Sequence, residues 1–168
     1  MRISLLLLSL FLLAGCGTSQ VGTVGSGQTA VVKTIAMMPG GGVLADAVAK
    51  ELAARGFKIV DSATTSSMLA RLNLKETETS RPEGLSKLRD QGVDAILVVS
   101  GERGYDNQPQ SASARMTSTR NGALIASVTW QNAFGGMRGS IADHVMRKGL
   151  SQAAIEMANE LASHVTRA

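Results

Sequence analysis

Residues 93–101 read Val93-Asp94-Ala95-Ile96-Leu97-Val98-Val99-Ser100-Gly101. An apolar run of this length, rich in β-branched residues and closed by glycine, is the mark of a central strand covered on both faces. Upstream, Ala30-Val31-Val32-Lys33-Thr34-Ile35-Ala36-Met37-Met38 has the same character and stops at Pro39-Gly40-Gly41-Gly42, so it reads as a buried strand followed by a loop. Between the two strands the period changes. Leu44, Val48 and Leu52 share one face of a helix predicted over 43–55, with Gly56 at its end. Phe57 to Asp61 alternates as a strand, and a helix over 64–73 turns Met68, Leu69 and Leu72 inward, with N-caps offered from Asp61 to Thr65. After the polar linker 75–79, Ser80-Arg81-Pro82-Glu83 has the form of a capping box with proline in the first turn, opening a helix that carries Leu85 and Leu88 to Gly92.

Downstream of the run, a polar loop from Glu102 to Gln110 precedes an alternating strand over 112–119. Asn121-Gly122 then predicts a type I′ hairpin turn, which needs positive φ at both residues. The return strand sets Leu124, Ala126, Val128 and Trp130 on one face and Ile125, Ser127, Thr129 and Gln131 on the other. A glycine-rich loop (135–139) leads to Ser140 as N-cap of a long helix reaching about residue 165, with apolar pairs from 141/142 to 161/162. The predicted order is β-α-β-α-α-β-β-β-α: an α/β domain over 29–168, with a mixed parallel and antiparallel sheet flanked by helices.

The amino terminus follows different rules. Arg2 precedes the apolar run Leu5 to Leu13, which at about ten residues is half of what a bilayer span requires. It fits the hydrophobic region of an export signal, and Leu13-Ala14-Gly15-Cys16 places small residues before the chain's single cysteine. This is the lipobox pattern of bacterial lipoproteins. It implies a signal over 1–15, recognition by signal peptidase at Leu13, Ala14 and Gly15, and a covalent lipid on Cys16 that attaches the chain to a membrane. Gly17, rather than aspartate, follows the cysteine, which by the same resemblance favours the outer membrane and its periplasmic face. Residues 17–28, GTSQVGTVGSGQ, have the composition of a flexible tether, so 16–28 reads as lipidated cysteine plus tether. Such a tether reaches at most about 40 Å, which keeps the domain beside the membrane.

Without residues 1–15 the chain keeps 153 of its 168 residues, enough for one domain. It loses Arg2, so 16 basic residues face 13 acidic ones, a net charge of +3. The basic residues are scattered, with no run longer than Arg147-Lys148, and a nucleic-acid partner is not expected.

Catalytic patterns are sparse. The loop 39–42 lies where phosphate loops occur but lacks the Lys-Ser/Thr of a P-loop, so a tight turn explains its glycines. His144 and His164 fall about 30 Å apart on one predicted helix, too far to share a metal. Asp61, Asp94, Glu102 and Asp106 lie near strand ends, yet capping and loop hydrogen bonds explain each. No G-x-S-x-G elbow is present. The expectation is a non-enzymatic protein with no metal and no cofactor beyond the lipid. Trp130, the chain's one tryptophan, is either core under the terminal helix or a possible interface residue; its apolar neighbours favour core.

The strands Ile35-Ala36-Met37-Met38-Pro39 and Gly92 to Val98, the Asn121-Gly122 hairpin with Leu124-Ile125-Ala126-Ser127, and a terminal helix occur in an order that resembles the CsgG-like envelope lipoproteins. That superfamily shares its α/β domain with the TolB amino-terminal domain, LpoB-type activators and PelC-type export lipoproteins. The resemblance spans about residues 30–165. Gly40 stands where an aromatic often follows the proline, and the membrane-inserting segments of the curli-secretion channel have no counterpart here. It implies an oligomeric, structural component of an export or secretion apparatus, with self-association or envelope proteins as partners. The alternative is a regulator that binds a peptidoglycan synthase, which would need a long tether.

Overall fold

The computed structural model describes residues 19–25, 30–133, 136–137 and 139–167. The elements are β1 (Gln20–Gly25), β2 (Ala30–Val32), β3 (Thr34–Met37), α1 (Gly42–Ala54), β4 (Lys58–Val60), α2 (Ser62–Arg71), a 3₁₀ turn (Glu76–Glu78), α3 (Pro82–Asp90), β5 (Ala95–Arg103), β6 (Pro109–Ser118), β7 (Leu124–Gln131), α4 (Ile141–Met146), α5 (Leu150–Ser163) and β8 (Val165–Arg167). The main sheet runs β1-β7-β6-β5-β3-β4. β3 is parallel to β4 and β5, whereas β5, β6, β7 and β1 pair antiparallel. The mixed α/β sheet with flanking helices is therefore as expected. A second, two-stranded parallel sheet joins β2 to β8.

One face of the sheet carries the larger core. Ile35, Met37, Leu97, Val99, Met116, Val128 and Trp130 meet Leu44, Val48 and Leu52 of α1 and Met157, Ala158 and Leu161 of α5. The opposite face is covered only over β3 and the start of β5, where Ala36, Met38 and Ile96 pack on Met68 and Leu69 of α2 and Leu85 and Leu88 of α3. The central run is thus buried on both faces only as far as Leu97. Val98 is 46% exposed because the α2–α3 layer ends there.

Five local expectations change. Residues 20–25, expected within the tether over 16–28, form an edge strand whose Gln20 pairs with Gln131 and Gly25 with Ala126. Its Val21 and Thr23 are half-buried at every second position, so partner pairing outweighs the flexible composition. The expected strand 30–38 divides at Lys33 into β2 and β3, which belong to different sheets. The Asn121-Gly122 turn is not type I′, since only Gly122 has positive φ (71°) and Asn121 instead accepts the Ala123 N–H on its side chain at 3.0 Å. The α3 N-cap is Arg81 rather than Ser80, with Pro82 at the first helical position and no side-chain cap. Finally, the long terminal helix is two helices. Buried Asn132 takes the Lys148 N–H on Oδ1 at 2.8 Å and donates Nδ2 to the Lys148 carbonyl at 2.9 Å, so these backbone groups leave the helical ladder between α4 and α5.

Candidate functional site

The carboxyl ends of β3, β5 and β7 and the starts of β1 and β6 lie at one end of the sheet, as their registers require. Four segments converge there: the glycine loop 39–42, the β5–β6 loop 104–108, α4 with its approach, and Ser19. A cleft of about 530 Å³ opens between the first two, lined by Gly41, Val43, Ser100, Glu102, Arg103 and Asn107. Gly40 and Gly42 have positive φ (94° and 56°), the freedom this loop needs to reverse. At Gly41 a Cβ would stand 2.7 Å from the Val99 carbonyl oxygen and 2.5 Å from the Ala45 Cβ, so glycine lets α1 start directly on the sheet.

The burial pattern of α4 is inverted. Ile141 and Val145, one turn apart on one face, are 85% and 79% exposed, and Met137 before the helix is 82% exposed. The buried residue is Asp143, at 1%. Its carboxylate accepts the Tyr105 hydroxyl and the Gly139 N–H (3.1 Å), while its own N–H is capped by Ser140 Oγ at 3.2 Å. The hydrogen bond to Asp143 and burial together raise the Tyr105 pKa above its usual value. Arg147 completes the arrangement. Its Nε and Nη2 meet the two oxygens of Asp106 at 3.0 and 3.1 Å, its Nη1 donates to Gln110 at 2.9 Å, and its guanidinium lies 5.2 Å from the Tyr105 ring centre. One hydrogen bond, from Nη2, and the close ion pair at Nε join these two charges. The buried network therefore ties α4 to the β5–β6 loop from beneath and turns its apolar side outward.

A second network fixes the start of the folded chain. Glu156 on α5 accepts from Ser19 Oγ (2.6 Å), Trp130 Nε1 (2.7 Å), Gln152 Nε2 (3.2 Å) and the Lys148 ammonium, which also donates to Ser19 Oγ at 2.8 Å. Burial alone would raise the Glu156 pKa. The donors, led by Lys148 and then Ser19 and Trp130, outweigh it and bring the value down to about 2. Ser19 is thus seated between α5 and the end of β7, against Lys148, two residues past α4.

The residues singled out in the sequence take separate places. Trp130 is 1% exposed and lies inside the larger core, so its indole is no surface contact of the subunit. Asp61 caps α2 by accepting the Thr64 N–H at 2.8 Å, and this hydrogen bond lowers its pKa. Asp94 accepts the N–H groups of Lys33 and Thr34 at 2.9 and 2.8 Å at the far end of the sheet. Glu102 meets Ser111 at 3.3 Å, and Asp106 belongs to Arg147, so the four carboxylates form no acid/base pair with one another. His144 lies in α4 and His164 follows α5, on different helices. Leu13, Ala14, Gly15 and Cys16 lie outside the described residues. Asp143, Arg147, Glu156 and Ser19 escaped sequence reasoning because their partners are distant in the chain. The one local signal was an aspartate amid the apolar positions of α4.

No protein-family profile matches the chain, and no curated protein matches its sequence. Its structure does have neighbours. The PelC dodecamer of Paraburkholderia phytofirmans is similar over 86% of this chain and 97% of its own subunit, at 15% identity and a TM-score of 0.52. The chain shares the PelC fold. A point variant of the same dodecamer matches equally well, covering 98% of its subunit at a TM-score of 0.52. Lipoprotein GNA1162 of Neisseria meningitidis matches over 75% of this chain and 96% of its own, at 18% identity and a TM-score of 0.47.

Proposed function

We propose that this chain is an envelope lipoprotein of the CsgG-like superfamily, acylated on Cys16 and held at the periplasmic face of the outer membrane. It acts there as a structural, non-enzymatic subunit of an export or secretion assembly, working without a cofactor and self-associating. The observation that carries this reading is the PelC fold over 86% of the chain, in a neighbour that is a dodecamer. The lipobox Leu13-Ala14-Gly15-Cys16 supports the anchor independently. The alternative, regulation of a peptidoglycan synthase, requires the domain to stand away from the membrane. With Ser19 bound into the fold, only Gly17 and Thr18 separate it from Cys16, which weighs against that role.

The deciding measurement is the native mass of the detergent-solubilised, acylated protein. A uniform multi-subunit ring is the expected result. A monomer that retains a penicillin-binding protein through purification would overturn the assembly role in favour of the regulator.

A further inference from the structure

Resting on the acylation of Cys16, we propose that α4 lies in the membrane surface, with Met137, Ile141 and Val145 entering the boundary between lipid headgroups and acyl chains. Three observations lead there. These side chains are 82%, 85% and 79% exposed, apolar surface held outward on and just before α4. The ridge is built, since a buried carboxylate on the inner side of α4 forces the apolar residues outward. The occupant follows from where Ser19 is held. Ser19 is held by Glu156 and Lys148 at this same end, and three peptide steps back to Cys16 reach no more than about 11 Å. A lipid on Cys16 cannot be remote from the ridge, and the end of the sheet that carries both must face the bilayer. A short apolar face at the interface strengthens a lipid anchor and gives it an orientation.

The geometry predicts which residues become dry. The far end of the sheet, at the β6–β7 loop around Arg120, points away from the membrane. Cys16 is the only cysteine, and acylation blocks its thiol, so a second cysteine can be labelled alone. Ile141→Cys, Val145→Cys and Arg120→Cys are made in the full chain, acylated in cells, labelled with an environment-sensitive fluorophore and reconstituted in phosphatidylethanolamine–phosphatidylglycerol vesicles. At 141 and 145 the expected result is a blue shift, a several-fold loss of quenching by aqueous iodide, and quenching by brominated acyl chains. At 120 iodide access should stay unchanged.

Three outcomes overturn the proposal. Labels at 141 and 145 that stay open to iodide place the ridge in water. Labels closed to both iodide and brominated lipid place it against a second copy of the chain. A chain whose mass shows no acyl groups overturns the anchor itself, and that mass separates the failure of the anchor from the failure of the orientation.

Discussion

Glu156 gives the sharpest quantitative test. It sits on α5 with a side chain 18% exposed and draws together Ser19, Trp130, Gln152 and Lys148. Burial disfavours its charged form, but the four donors more than compensate, and its pKa falls from 4.5 to about 2. A carboxylate with a depressed folded-state pKa stabilises the fold above its unfolded value, near 4.5, and loses that contribution as the pH falls through about 2. The drop corresponds to about 3 kcal/mol at neutral pH. For a domain of this length that is roughly 10 °C in melting temperature. The assay is thermal melting of the unacylated Cys16→Ser chain by circular dichroism, from pH 6 to pH 2, beside the same chain with Glu156→Gln. The parent should lose most of this increment between pH 4.5 and 2. The Gln variant should start lower and lack that part of the slope, since it has no carboxylate to protonate. The same acid slope in both proteins would refute the account, because the charge on Glu156 would then not be what the four donors stabilise.

Two further substitutions probe the same end of the fold. Asp143→Ala removes the acceptor for the Tyr105 hydroxyl and the Gly139 N–H, at a cost of about 2 kcal/mol. Amide exchange over 139–146 should accelerate while the exchange of β5 and α5 stays slow, and uniform acceleration throughout would argue against a local role. Gly41→Ala forces a Cβ against the Val99 carbonyl and Ala45, an overpacking expected to cost about 1–3 kcal/mol and read as a lowered denaturant midpoint. An unchanged midpoint would mean that α1 can shift away from the sheet without penalty.

Local chemistry made much of the fold legible. The run at 95–97, the 3.6-residue spacing of Leu44, Val48 and Leu52, and the pairs at 153/154 and 157/158 each bury what they were expected to bury. The two largest misreadings share a cause, in that a distant group outbid a local preference. β1 is composed like a tether but pairs with β7, a hundred residues away. The helix over 140–165 has unbroken apolar pairs, yet Asn132 claims the backbone of Lys148. At the candidate site the apolar pairs 141/142 and 145/146 led in the wrong direction. A pattern shows which helix face is apolar, but only the partners of Asp143 decide which face turns inward.

That inversion also bears on how the surface works. Had Ile141 and Val145 been placed on a loop without buried partners, they would have folded back onto the core or exposed the chain to aggregation. Here the inner side of α4 is satisfied by polar contacts that an apolar core cannot replace, so inward rotation of the ridge would break the hydrogen bonds that Asp143 accepts from Tyr105 and Gly139. The ion pair between Arg147 and Asp106 and the seating of Ser19 on Glu156 lie on either side of the break between the two helices. Together they hold the helix and the emerging chain at one end of the same sheet. A membrane that takes the lipid therefore meets a surface already shaped, and docking the ridge orders little further chain. Low ordering cost is what lets a ridge of three side chains contribute to orientation at all.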